Sequence, residues 1–144
     1  MNYGRLALAA VAATVADAIY GFVVYGNVLT NQFALYPGVY RPIESQGAYM
    51  PALFGGILIA MFAAAYIYAK GYEGGSGMQE GLRFGVCVGF LALGYVGLVN
   101  YAVLNLGRRL AGSMALAGLF EWVIAGIVIG AIYKPLPGGK TLQA

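Results

Sequence analysis

An all-α fold of four transmembrane helices packed as an antiparallel bundle is what this sequence predicts, and three observations predict it. Of 144 residues, 61% are hydrophobic and 9% are charged, against about 25% charged in an ordinary soluble domain. The mean hydropathy is +0.77. The apolar residues gather into four stretches of about 20 to 25 residues, each long enough to cross a hydrocarbon core. They run from Leu6 to Leu29, Tyr49 to Ala69, Phe84 to Leu106 and Ala111 to Tyr133. The length suits one domain, so residues 1–144 read as a single transmembrane unit.

The first stretch opens like a secretory signal, with Arg5, an apolar run and Ala16-Asp17-Ala18. The apolar run continues through Ile19 to Leu29, longer than a signal needs, so a retained first helix is expected. Between the first two stretches lies the longest loop, residues 30–48. Tyr36-Pro37-Gly38 and Arg41-Pro42 impose turns there, and Phe33, Tyr36 and Tyr40 suit the membrane interface or a partner. The second loop, Gly71 to Gly81, contains Gly74-Gly75-Ser76-Gly77 and reads as mobile. The third is very short, which predicts a tight hairpin of the last two helices. After Pro135 the chain reads as a short polar extension.

Orientation follows from Lys and Arg near the span ends. Arg5, Lys70, Arg83, Lys134 and Lys140 share one side; Arg41, Arg108 and Arg109 share the other. That balance predicts cytoplasmic termini in a bacterial inner membrane. Tyr3, Tyr49, Tyr72 and Tyr133 fall near span ends, as interfacial belts do.

Several chemistries are excluded for this chain alone. Histidine is absent and Cys87 is the one cysteine, which removes histidine-ligated haem, a Ser-His-Asp triad, most zinc sites and an internal disulfide. Cys87, between Val86 and Val88, reads as a small buried hydrophobe. The net charge of +3 forms no basic run of the kind nucleic acid needs. No phosphate loop or metal-ligand spacing is present, so neither an enzyme nor a metal site is expected. No cofactor is expected either, with bound lipid or pigment left open.

Two carboxylates stand apart. Asp17 and Glu121 are the acidic residues inside the apolar stretches, near the middle of theirs. A central acidic residue costs roughly 2.5 to 3.5 kcal/mol on insertion scales and normally faces the bundle interior. Ala13, Thr14 and Gly21 flank Asp17 at helical spacing, with Tyr20 beside them; Ala117, Gly118, Ile124 and Ala125 flank Glu121. Faces of small residues admit close helix approach, so the first and last helices are expected to meet with both acids inside. At close range in low dielectric, one acid must then hold a proton or find a donor. The candidate donors are Tyr20, Tyr95, Asn100 and Tyr101. Such a site is either a polar contact fixing helix register or a proton-coupled centre.

Gly81, Gly85 and Gly89 recur at four-residue spacing, with Gly94 and Gly97 beyond them. Gly126 and Gly130 repeat the spacing in the last stretch. These are helix-packing signals in an apolar context, silent on whether the neighbour lies in this chain, a second copy or another subunit. Phe90, Phe120 and Trp122 read as lipid-facing or packing residues.

On these residues the chain resembles a group of uncharacterised small bacterial membrane proteins. The shared positions are Asn2, Arg5, Asp17, the Tyr25 to Leu29 exit, Asn100, Glu121 and Tyr133. The resemblance implies four helices and no established activity. In layout the chain is also similar to small multidrug exporters, which carry an acidic residue in the first of four spans. Here the long first loop, the second acid at Glu121 and the aromatic pattern after Asp17 depart from that family. Three roles follow as expectations. The first is a non-catalytic accessory subunit of a larger membrane complex. The second is a proton-coupled transporter or channel-like oligomer using Asp17 and Glu121. The third is a lipid- or quinone-binding protein. The expected partners are membrane lipids and either other membrane subunits or a second copy, without nucleic acid.

Overall fold

The computed structural model describes residues 1–134; the extension after Pro135, with Lys140, lies outside the described residues. All regular structure among them is helical. Four helices are long and apolar enough to cross a membrane: α1 (Tyr3–Val28), α2 (Ile43–Lys70), α3 (Gly77–Val103) and α4 (Arg108–Ile132). The chain is a multi-pass membrane protein.

Local chemistry sets the helix starts. Asn2 caps α1, its side-chain oxygen accepting from the Arg5 N–H at 3.1 Å. Pro42 is extended and precedes α2, whose first turns pass through a 3-10 segment at Gly47–Tyr49 before Met50, with Pro51 in the first turn of the longer run. α2 and α3 therefore begin earlier than Tyr49 and Phe84, the starts read from hydropathy. Hydropathy marks where lipid begins, and these helices extend beyond that boundary into polar residues such as Glu44, Glu80 and Arg83.

Residues 77 to 81 of the glycine-rich segment belong to α3. Before them, the Glu80 carboxylate accepts from the backbone N–H of Glu73 at 3.2 Å and from that of Gly75. Gly74 turns the chain with φ of 92°, a conformation that favours glycine. Glu80→Ala should lower stability by about 0.5–1.5 kcal/mol, the net value of hydrogen bonds at a partly exposed site. SDS titration of the detergent-solubilised protein measures it; an unmoved midpoint would contradict the assignment.

α1 and α4 form the centre of the bundle, with α2 leaning chiefly on α1 and α3 on α4. Alanines make the α1–α2 contact: Ala9, Ala10, Ala13 and Ala65 are wholly buried, together with Met61 and Tyr68. Glycines make the α3–α4 contact. A Cβ placed on Gly85 would stand 2.5 Å from the Trp122 carbonyl oxygen, and one on Gly126 would stand 2.6 Å from the Gly85 Cα. Gly77, Gly81 and Gly130 are pressed against backbone in the same way, while Gly89 meets Leu119. With no side chains between them, the two backbones touch along several turns.

Cys87 is exposed rather than buried. Gly85 and Gly89 face α4, and Cys87 lies halfway between them in sequence, roughly 200° around the helix from either, so it points to lipid.

The two ends of the bundle differ. At the end carrying the N-terminus, Tyr68 gathers Tyr72, Phe84 and Tyr133 edge to face, with ring centroids 5.6 to 6.1 Å apart. At the other end, the 30–48 segment is not a free loop. It forms a helical turn at Thr30–Phe33 and folds back on α4, where the Tyr36 hydroxyl accepts from the Gly107 N–H at 3.1 Å. The Arg41 guanidinium lies 3.7 Å from the centre of the Tyr49 ring.

Candidate functional site

The site is assembled by α1 and α4 where their small-residue faces cross. Asp17 follows Ala9, Ala10 and Ala13 on the buried face of α1 and is 6% exposed. Glu121 follows Ala117 on α4 and is half-buried. The two carboxyl groups are neighbours across the α1–α4 contact. Two ionised carboxylates side by side would repel, and a shared proton would relieve that repulsion.

A tyrosine completes the group. The Tyr25 hydroxyl donates to Glu121 Oε2 at 2.9 Å. Tyr20, its edge-to-face neighbour at 6.3 Å, donates instead to the Ala117 carbonyl at 2.9 Å. It therefore ties α1 to α4 one turn from the acids without bonding either. Tyr25, which is not among the donors expected from the sequence, lies eight residues after Asp17 and inside the Val24–Val28 π-helical turn, where regular helical spacing no longer assigns a face.

The remaining candidate donors separate. Asn100 lines the same cleft as Tyr25 and Glu121. Tyr95 is 75% exposed and turns away from the acids, a correction to its place among the buried donors. Tyr101 is exposed as well. The cause is a π-helical turn, Leu93–Leu98, which inserts Tyr95 into a widened coil and shifts every later residue around α3. Phe90 and Phe120 face outward, and Trp122 packs partly buried against the core.

Beside Glu121 a cleft of about 200 Å³ runs between α1, α3 and α4 toward the 30–48 segment. Both π-helical turns of the chain's described part, Val24–Val28 and Leu93–Leu98, contribute to its wall through Tyr25, Leu93 and Val96. Such turns free backbone groups and re-aim side chains, and they collect at functional sites. Tyr40 roofs the cleft, its hydroxyl 3.0 Å from the Met114 sulfur. Burial, with Tyr36 nearby, pushes the Tyr40 phenol up from its ordinary value, so it remains a donor at neutral pH.

Among the described residues no group of three or more acidic or cysteine side chains is placed to hold a metal ion. A second, wider recess of about 500 Å³ opens at the opposite end, between Tyr72, Met78, Tyr133 and Lys134. It ends against the tyrosine cluster and has no part in the carboxyl site. No family model, curated protein or solved structure matches the chain, so the site's chemistry rests on its own residues.

Proposed function

We propose that the Asp17–Glu121 pair is a proton-holding centre and that the chain is a proton-coupled membrane protein, moving protons with or without a small solute through the adjoining cleft. One observation carries this reading. Glu121, one acid of the pair, stands at the wall of a cleft with Tyr25 bonded to it, while Asp17 is buried behind it. A contact that only fixed helix register would need neither an open space beside it nor two acids. An intramembrane carboxyl group facing a cavity is the arrangement proton relays use. Catalysis has no role in this reading.

Reconstituted protein tests it. Asp17→Asn and Glu121→Gln should each assemble normally and abolish proton flux across vesicles holding an imposed pH gradient. Flux equal to the parent in both variants would reduce the pair to a structural contact.

A second reading, a non-catalytic accessory subunit, has its own support. The outer part of α2 packs little within the chain, with Leu53, Phe54 and Ile59 between 48% and 73% exposed. Purification in mild detergent should then recover partners in fixed stoichiometry; a lone chain or simple homodimer would count against it. Cytoplasmic termini in a bacterial inner membrane remain part of the proposal. Their support is the surplus of Arg5, Lys70, Arg83 and Lys134 on the terminal side.

A further inference from the structure

The acid pair marks a boundary along the bundle. Toward the N-terminal end, the faces that α1 and α4 turn to each other and to α2 are closed. Ala9, Ala10, Ala13 and Ile129 are 0% exposed, and Ala125 is 1% exposed. Met61 and Ala65 fill the α2 side, and the Tyr68, Phe84 and Tyr133 rings close the end. These residues form one buried, mainly apolar cluster, which offers a chain of waters few polar partners.

Toward the 30–48 segment, the packing opens. The cleft of about 200 Å³ has room for about six waters at roughly 30 Å³ each. Water occupies a cavity when it is roomy and offers polar partners. Here Tyr25, Tyr40, Asn100 and Glu121 are the polar residues among the otherwise mainly apolar ones that line one space. They are spread from its roof to its floor: Tyr40 reaches in from the loop, and Glu121 lies beside the sealed half.

We infer that protons reach the Asp17–Glu121 pair from one membrane face alone, through a hydrated cleft between α1, α3 and α4 that opens beneath Tyr40. This deepens the proton-coupled reading by giving the site a side. On that reading, release to the other face requires the Ala9–Ala13 and Ile129 packing to part, so the state described is the one open to the 30–48 face.

Cysteine labelling tests this without any flux measurement. In a Cys87→Ala background, Ser45→Cys and Ser76→Cys mark the two faces, since both serines are exposed at opposite ends of α2 and its following loop. A charged, membrane-impermeant thiol reagent is then applied to vesicles from either side. Gly118→Cys is expected to react only from the side on which Ser45→Cys reacts, because a Cβ there meets nothing nearer than the Tyr25 hydroxyl at 4.0 Å. Ala111→Cys, nearer the mouth of the same cleft, is the second probe should Gly118→Cys fold poorly. Ala13→Cys and Ala125→Cys should stay unlabelled from both sides. Reaction of the cleft cysteines from the Ser76 side, or from neither side, overturns the inference. One-sided labelling alongside unchanged flux in Asp17→Asn and Glu121→Gln would keep the sided cleft and overturn the proton reading instead.

Discussion

Gly126→Ala is expected to weaken the protein by about 1–3 kcal/mol, the usual cost of overpacking a close contact. The added methyl would stand 2.6 Å from the Gly85 Cα and 2.7 Å from the Gly85 backbone nitrogen. A flexible side chain could swing aside, but backbone gives way only if α3 and α4 separate along several turns. Gly85→Ala should behave alike, meeting the Trp122 carbonyl and the Val123 Cα. Gly55→Ala is the control of opposite sign. Its Cβ has nothing within 4 Å, and alanine exceeds glycine in a helix interior by up to about 1 kcal/mol. SDS titration of the three variants measures the difference. If Gly126→Ala and Gly55→Ala shift the midpoint in the same direction, the backbone contact is not what joins α3 to α4.

The second large effect concerns the acids and separates their structural from their functional role. Glu121→Leu removes the acceptor of the Tyr25 hydroxyl and leaves Asp17 without its partner. An unsatisfied buried polar group costs about 1–3 kcal/mol, more when charged, so this variant should lose at least that much stability. The double variant Asp17→Asn with Glu121→Gln should stay within about 1 kcal/mol of the parent, because one amide can donate where the other accepts. It can exchange no proton, so its flux should be zero. Infrared spectra add a check independent of transport: the parent should show a protonated carboxyl band that either single amide substitution removes or shifts. Full flux in a stable double variant would leave the pair as a register contact only.

How much of this lies open in the sequence depends on what each signal measures. The four spans are legible because twenty apolar residues in a row have few other uses. The acids are legible because charge at that depth must be sheltered. Tyr25 and Tyr95 are not, and for one reason. Their sides follow from a constant rotation of about 100° per residue, and each lies within a π-helical turn where that rotation fails. Cys87 shows the opposite failure. Its neighbours Val86 and Val88 suggest burial, but the face that matters is set by Gly85 and Gly89, whose lack of side chains gives no hydrophobic signal. The folding of residues 30–48 onto α4 rests on Tyr36 and Tyr40 meeting Gly107 and Met114, partners about seventy residues away that local spacing cannot disclose.

α4 is the helix on which the others converge, and little of its circumference is spare. Gly126 and Gly130 commit one side to α3, while Ala117 and Glu121 commit another to α1. What remains is a narrow strip of Leu116, Phe120 and Ile124, each four residues from the next and exposed. Drift among apolar residues is tolerable along that strip, whereas a single inserted residue between Glu121 and Gly126 would turn one committed side about 100° away from the other. The helix can change what it shows to lipid, but it cannot change its phase.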